Sequence, residues 1–192
     1  NPCSEIILRP YQFCNLTEVV VRHDDTKENL LRKVRLAAIL GTIQATFTKF
    51  PYLRKVWQRN TEEERLLGVS LTGIMDCKLT SKPDPRMLER LRNAARETNK
   101  QLSKELGILP SASITCVKPS GTVSQLVDSA SGIHARHNSH YIRRVRIDKK
   151  DPIYPFLKEK GFPVEDEVFR PDSTAVFFFH SSLRNWKLVR VD

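Results

Sequence analysis

Long apolar runs are missing from this sequence. No stretch approaches the roughly 20 consecutive apolar residues that a membrane-spanning helix requires. The opening residues also lack the charged-then-apolar order of a secretory leader, so no membrane role is expected. Cysteine is scarce, with four among 192 residues and no regular spacing. That usage excludes a disulfide framework and a metal site of the CxxC kind, and a reducing, cytoplasmic setting is the simplest inference. Internal repeats and low-complexity tracts are absent as well. What is present is ordinary for a soluble globular protein: 40% hydrophobic and 28% charged residues, in a chain long enough for one domain with a sizeable core.

Charge is the one departure from the ordinary. Lys and Arg number 32 against 22 Asp and Glu, a formal net charge of +10. Such a surplus suits polyanions, either nucleic acid or the phosphates of a nucleotide. The basic residues recur along expected helices and cluster at Arg143, Arg144 and Arg146. Aromatic residues are not interleaved with them as a single-strand-binding surface requires. A nucleotide therefore outranks nucleic acid as partner, and a basic nucleic-acid-binding domain is the distant alternative.

The first fourteen residues carry the densest chemistry. Asn1, Cys3 and Glu5 alternate, and Cys14 follows Cys3 by eleven positions. In extended backbone, alternate side chains share a face, so an amide, a thiol and a carboxylate converge on one substrate. A thiol beside a general-base carboxylate is a chemically competent pair, and Pro2 favours a rigid loop over a helix. This Asn-Pro-Cys-x-Glu-Ile run with Cys14 resembles the active-site finger loop of ribonucleotide reductases, and the offset of eleven resembles their adenosylcobalamin-dependent class.

The resemblance implies a ten-stranded α/β barrel of the ribonucleotide reductase and glycyl radical enzyme type, of which residues 1–179 would form the C-terminal part. Cys3 would become a thiyl radical, Glu5 would take the substrate's 3′-hydroxyl proton and Asn1 would hydrogen-bond the same region. Cys14 would be one of two thiols that reduce the 2′ position. Adenosylcobalamin is the implied cofactor, and thioredoxin or a similar dithiol the implied reductant. A reductase of another class, with a radical-generating partner subunit, is the nearer alternative. Since the first residue is Asn rather than Met, the chain reads as a fragment. Roughly half of a full-length enzyme would then be missing, the remaining part of the same enzyme being a required partner and the fragment alone inactive.

Downstream, β-branched residues 16–21 predict a strand. Asp25 and Glu28 have the spacing of a capping box, and a helix is expected from there to about Phe50, closed by Pro51. A second box from Thr61 to Glu64 predicts a short helix before Gly68. Residues 69–74 read as a buried strand whose Gly73 allows close backbone approach, with Cys77 structural. Asp84-Pro85 is a strong helix start, with Met87, Leu91, Ala95, Leu102 and Leu106 on the inner face and Gly107 at the C-cap. Strands alternating with long helices argue for α/β packing.

A second informative stretch runs from Ala112 to Gln125. A β-rich run leads into Ser120-Gly121-Thr122-Val123 and a helix start. Free N–H groups there can bind phosphate, and Gly lets an anion approach the backbone; the same residues also make an ordinary N-cap. The stretch resembles the family's substrate-phosphate loop, which implies Ser120, Gly121, Thr122 and Val123 as phosphate residues, with Lys118 adding charge.

His134 and His137 are spaced to share a metal but lack further ligands, so no metal is expected. Residues 131–147 resemble the monomeric branch of the cobalamin class that reduces ribonucleoside triphosphates, which implies those triphosphates as substrate. For the arginine cluster, a solvated strand face is expected. A short helix at Asp151-Pro152 ending at Gly161 and a strand at 173–179 complete the reading. Residues 180–192 no longer resemble the family and form a divergent or truncated tail.

Overall fold

A computed structural model describes residues 3–182. It forms two compact units that divide between Arg136 and His137. In the first, β1 (Asn15–Val20) leads through α1 (Lys27–Gln44) and α2 (Lys55–Glu64) to β2 (Leu67–Thr72). The two strands are parallel, with Asn15 opposite Leu67 and Val20 opposite Thr72. A third parallel segment joins through a Val69–Thr115 bridge. There the Val69 N–H donates to the Ile114 carbonyl at 2.8 Å, and Cys116 N–H to the Val69 carbonyl at 3.1 Å. Parallel strands need long crossovers, and the helices supply them. Five of the six β2 residues are buried, as a covered parallel sheet requires.

One face of this sheet packs on helices. Val19, Val21 and Val69 share a core with Leu30, Val34 and Ala38 of α1 and with Met87, Leu91 and Ala95 of α4 (Pro85–Glu105). A short α3 (Lys78–Ser81) precedes α4. Cys77 belongs to the same core at 1% exposure, as its structural reading demands. The opposite face carries small residues, Gly68, Ser70 and Thr72, and is the face on which the site is built. At Gly73, φ is +76°, and a side chain there would meet the Val21 carbonyl at 2.6 Å. This is the close approach expected of it.

Several expected boundaries move. The N-cap of α1 is Thr26, whose hydroxyl accepts from Asn29 N–H. Asp25 is diverted, because its carboxylate accepts from Arg22 N–H at 2.8 Å and from Lys33 Nζ at 2.6 Å. α1 ends at Gln44 rather than near Phe50. Thr46 and Phe47 fold back on carbonyls three residues earlier, and Thr48 Oγ1 donates to Glu62 Oε1 at 2.7 Å. Thr61 opens no helix; it is buried in the last turn of α2, which Arg54 precedes without a side-chain cap. Asp84 caps α4 as expected, and Gly107 follows its C-cap with φ +66°. Leu106 is exposed, and Asn99 and Ser103 take the inner face instead. Asn99 donates to Thr42 Oγ1 and to Ser111 Oγ, so a polar link replaces the expected apolar one.

The turn at 118–121 is followed by α5 (Thr122–Leu126). In the second unit, β3 (His140–Asp148), α6 (Ile153–Glu159), β4 (Val164–Asp166) and β5 (Thr174–Ser182) form an antiparallel sheet ordered β3-β5-β4. β3 alternates exposed and half-buried residues. Arg144 pairs with Glu165, and Arg146 lies 3.5 Å from Glu167. Those two arginines therefore lie on the solvated strand face expected of the cluster.

Candidate active site

The opening segment is fastened to α2. Phe13 stacks on Trp57 at 4.7 Å between centroids and packs on Phe50 at 5.0 Å, while Tyr11 meets the Trp57 edge at 5.7 Å. Arg9 pairs with Glu63 at 2.9 Å and Glu64 at 3.0 Å, and Gln12 donates to Glu64 at 2.7 Å. Offset aromatic contacts contribute about 1 kcal/mol each beyond burial, and several of them together hold residues 9–13. From that anchor the chain runs into Cys14 and β1, so the thiol loop and the first strand are held at one place.

Around it, the structure brings together residues distant in sequence. Cys3 is exposed, and its Sγ accepts from Lys118 Nζ at 3.8 Å. The same ammonium lies 3.8 Å from Glu5 Oε1. The Glu5 side chain is 5% exposed, and its other oxygen, Oε2, is buried without a hydrogen-bond partner among the described residues. A buried carboxylate oxygen left open is costly and is a place for a donor to arrive. Asn1, the third member of the expected trio, lies outside the described residues.

Cys14 and Cys116 approach this group from the sheet. Leu16 pairs with Gly68, and both Leu16 and Cys116 Sγ crowd the point where a Gly68 side chain would begin, the sulfur at 2.9 Å. By alternation Cys14 and Lys118 share that face. Burial, and after it the neighbouring Cys116 once ionised and Glu5, push the Cys14 thiol up to about 12. Burial and Glu5 push Cys116 up to about 11, against the opposing pull of Lys118. Both thiols therefore keep their protons at neutral pH. They are S–H donors rather than thiolate nucleophiles.

The Ser120–Val123 turn begins two residues beyond Lys118, whose ammonium also donates to the Pro119 carbonyl at 3.4 Å. Ser120 Oγ is buried and unpartnered among the described residues. Gly121 is exposed, with no atom within 4 Å of where its side chain would begin. Thr122 and Val123 are exposed at the start of α5. The turn is held from below: Ser131 Oγ donates to the Ser120 carbonyl, and Ser124 Oγ donates to the Gly121 carbonyl at 2.7 Å. Among the described residues no group of three or more His, Cys, Asp or Glu is arranged to hold a metal ion. No helix there is long and apolar enough to cross a membrane.

Sequence reasoning missed Cys116 and gave Lys118 only a charge. The signal was the alternation of Cys116 with Lys118 on a strand leading into the turn, which is weak until strand order places both beside Cys14.

A mixed α/β fold with a thiol–carboxylate loop over a parallel sheet, facing a small-residue turn, defines the class to which the comparisons lead. The solved structure of a B12-dependent (class II) ribonucleotide reductase aligns over 94% of this chain and 28% of its own, with a TM-score of 0.78 and 27% identity. Among curated relatives, the adenosylcobalamin-dependent ribonucleoside-triphosphate reductase of Lactobacillus acidophilus is 31% identical across 93% of this chain and 27% of its own length. That of Lactobacillus leichmannii is 29% identical over 93% of this chain. The probable counterpart in Dictyostelium discoideum is 32% identical over 86%. No protein-family model matches. The chain is thus similar, along nearly its whole length, to a segment of adenosylcobalamin-dependent ribonucleotide reductases. It spans 27% of the length of the Lactobacillus acidophilus relative and 28% of the Lactobacillus leichmannii one, less than the half expected.

Proposed function

We propose that this chain carries the thiol loop and substrate-phosphate turn of an enzyme that reduces ribonucleoside triphosphates to 2′-deoxyribonucleoside triphosphates, for DNA synthesis. The observation that carries the reading is that one ammonium, that of Lys118, lies 3.8 Å from both the Cys3 sulfur and Glu5 Oε1, while Glu5 Oε2 is open among the described residues. A proton acceptor and a hydrogen-abstracting atom gathered around one ammonium suit a sugar C–H and the hydroxyl on the same carbon. Removing a ribose 2′-hydroxyl by ionic chemistry is very hard; a radical at C3′ assists its departure as water.

In this reading the Cys3 thiyl radical takes the 3′ hydrogen atom, because S–H and sugar C–H bonds are close enough in strength for reversible transfer. Glu5 accepts the 3′-hydroxyl proton, a general-base role, and Asn1 hydrogen-bonds the same region. Cys14, kept protonated by its surroundings, is one of two thiols that deliver reducing hydrogen to the 2′ position and end as a disulfide. Thioredoxin or a similar dithiol then restores them. The phosphates rest on Ser120, Gly121, Thr122 and Val123, where exposed backbone and the unpartnered Ser120 hydroxyl supply donors.

Adenosylcobalamin, named in the curated relatives, would when bound be the source of the initiating radical, through homolysis of its cobalt–carbon bond. Cys3 fits that supply in being an exposed cysteine. The remaining part of the same enzyme would hold the corrin. Residues 1–179 are then the C-terminal part of a catalytic barrel, at work in the cytoplasm.

The test is Cys3→Ser in a full-length enzyme carrying this segment. Oxygen cannot replace sulfur in the hydrogen transfer, so deoxynucleotide formation is lost while nucleotide binding is kept. Normal turnover by the variant removes Cys3 from the mechanism.

A further inference from the structure

Lys118 is anchored at both ends. Its backbone N–H donates to Ser70 Oγ at 3.0 Å, and Ser70 is buried at 2% exposure in β2. Its ammonium reaches Cys3 Sγ and Glu5 Oε1, each at 3.8 Å, and the Pro119 carbonyl at 3.4 Å. The side chain is 29% exposed and that of Glu5 only 5%. A buried carboxylate calls for a counter-charge, and this ammonium supplies one. The thiol loop and the turn lie more than a hundred positions apart in sequence. A single side chain, rooted on the sheet immediately before the turn, spans them.

We propose that Lys118 is a positioning residue, whose ammonium holds the Cys3 sulfur and the Glu5 carboxylate at a fixed distance from the Ser120–Val123 turn. The contact itself stands on geometry; its effect on turnover rests on the reductase reading. A nucleotide reaches from sugar to phosphate with a fixed span, so thiol and turn must be kept in register. A misplacement of about 1 Å can lower a rate on the order of a hundredfold. The wider consequence is that the strand before the turn, and not only the two loops, sets where the radical sulfur sits.

Two measurements separate the parts. In this chain, Cys3 alkylation is followed by residue-resolved mass spectrometry with iodoacetate and iodoacetamide, and their rate ratio is taken. Both reagents need the thiolate, so the ratio cancels its abundance and reports local charge. Lys118→Gln should lower the iodoacetate preference about fivefold, the Boltzmann factor of a unit charge about 4 Å away in water. Lys118→Arg should leave it nearly unchanged. An unaltered ratio in Lys118→Gln overturns the contact.

In a full-length enzyme, Lys118→Gln should lower kcat by about ten- to a hundredfold with KM little changed, and Lys118→Arg should recover most of the rate. A raised KM with kcat intact would make Lys118 a phosphate ligand only and overturn the positioning role. A full-length parent that binds no nucleotide, with the alkylation ratio still falling, would refute the reductase reading and the kinetic half of the proposal, leaving the contact standing.

Discussion

Beneath the Ser120–Val123 turn lies a buried ion pair, and removing it should be measurable. The Arg136 side chain is 8% exposed and that of Asp76 5%. Arg136 Nε donates to Asp76 Oδ1 at 3.0 Å and Nη2 to Oδ2 at 3.2 Å, while Ala130 N–H donates to Oδ2 at 2.7 Å. Asp128 supplies a carboxylate oxygen and a backbone carbonyl at 2.8 Å. These bonds hold residues 128–136 against β2, where Gly132 N–H also donates to Thr72 Oγ1 at 2.9 Å. Gly132 in turn packs beneath the turn, with a side chain there only 3.4 Å from the Lys118 carbonyl and 3.5 Å from Ser120 N.

Asp76→Ala leaves a buried guanidinium short of its main partner and Ala130 N–H without an acceptor. Breaking one side of a buried pair costs about 3–5 kcal/mol. The retained Asp128, itself 75% exposed, offsets part of that, so about 3 kcal/mol is expected. For a unit of this size that lowers Tm by roughly 10 °C. Urea and thermal denaturation followed by circular dichroism read the loss. The double variant Asp76→Ala with Arg136→Met removes the stranded charge and should recover part of it, giving a coupling energy of about 2 kcal/mol. A single-variant loss below about 1 kcal/mol, or two losses that simply add, would refute the claim that this pair carries the support.

Two further outcomes follow from the site. On the proposed reading, Glu5→Gln in a full-length enzyme takes away the proton acceptor and should lower turnover by about a hundred- to ten-thousandfold with nucleotide affinity kept; unchanged turnover would take Glu5 out of the site. The pH dependence of thiol alkylation offers an independent check on burial. Raised values mean less thiolate at a given pH, so Cys14 labelling in the folded chain should climb about tenfold per pH unit from pH 8 toward 11. Cys116, pushed to about 11 rather than about 12, should level off first. Each should level off near an ordinary thiol value once the chain is unfolded. A plateau near 9 for Cys14 in the folded chain would contradict its placement.

Local chemistry was legible in the sequence where it is written in adjacent residues. β1 shows in its β-branched run, α4 in Asp84-Pro85 and Gly73 in its place at a strand end. Asp25 and Thr61 misled for different reasons: a residue able to cap a helix is equally able to serve another partner, and a helix that begins earlier takes a would-be cap into its interior. Asp25 serves Lys33, and Thr61 is buried inside α2. Propensity yields to such contacts, since burial and pairing exceed the contribution of a single cap.

The amino-acid order alone determined which atoms are available: a thiol and a carboxylate on alternate positions, a second thiol eleven residues on, and a turn of small hydroxyl residues after a strand. Tertiary structure decided which of them meet. Only strand order, with β2 between β1 and the segment at 112–117, puts Cys116 on the Cys14 face and brings Lys118 to Cys3 and Glu5. Side-chain alternation is a local property, whereas the neighbour across a parallel sheet is chosen by crossover helices and the core beneath them.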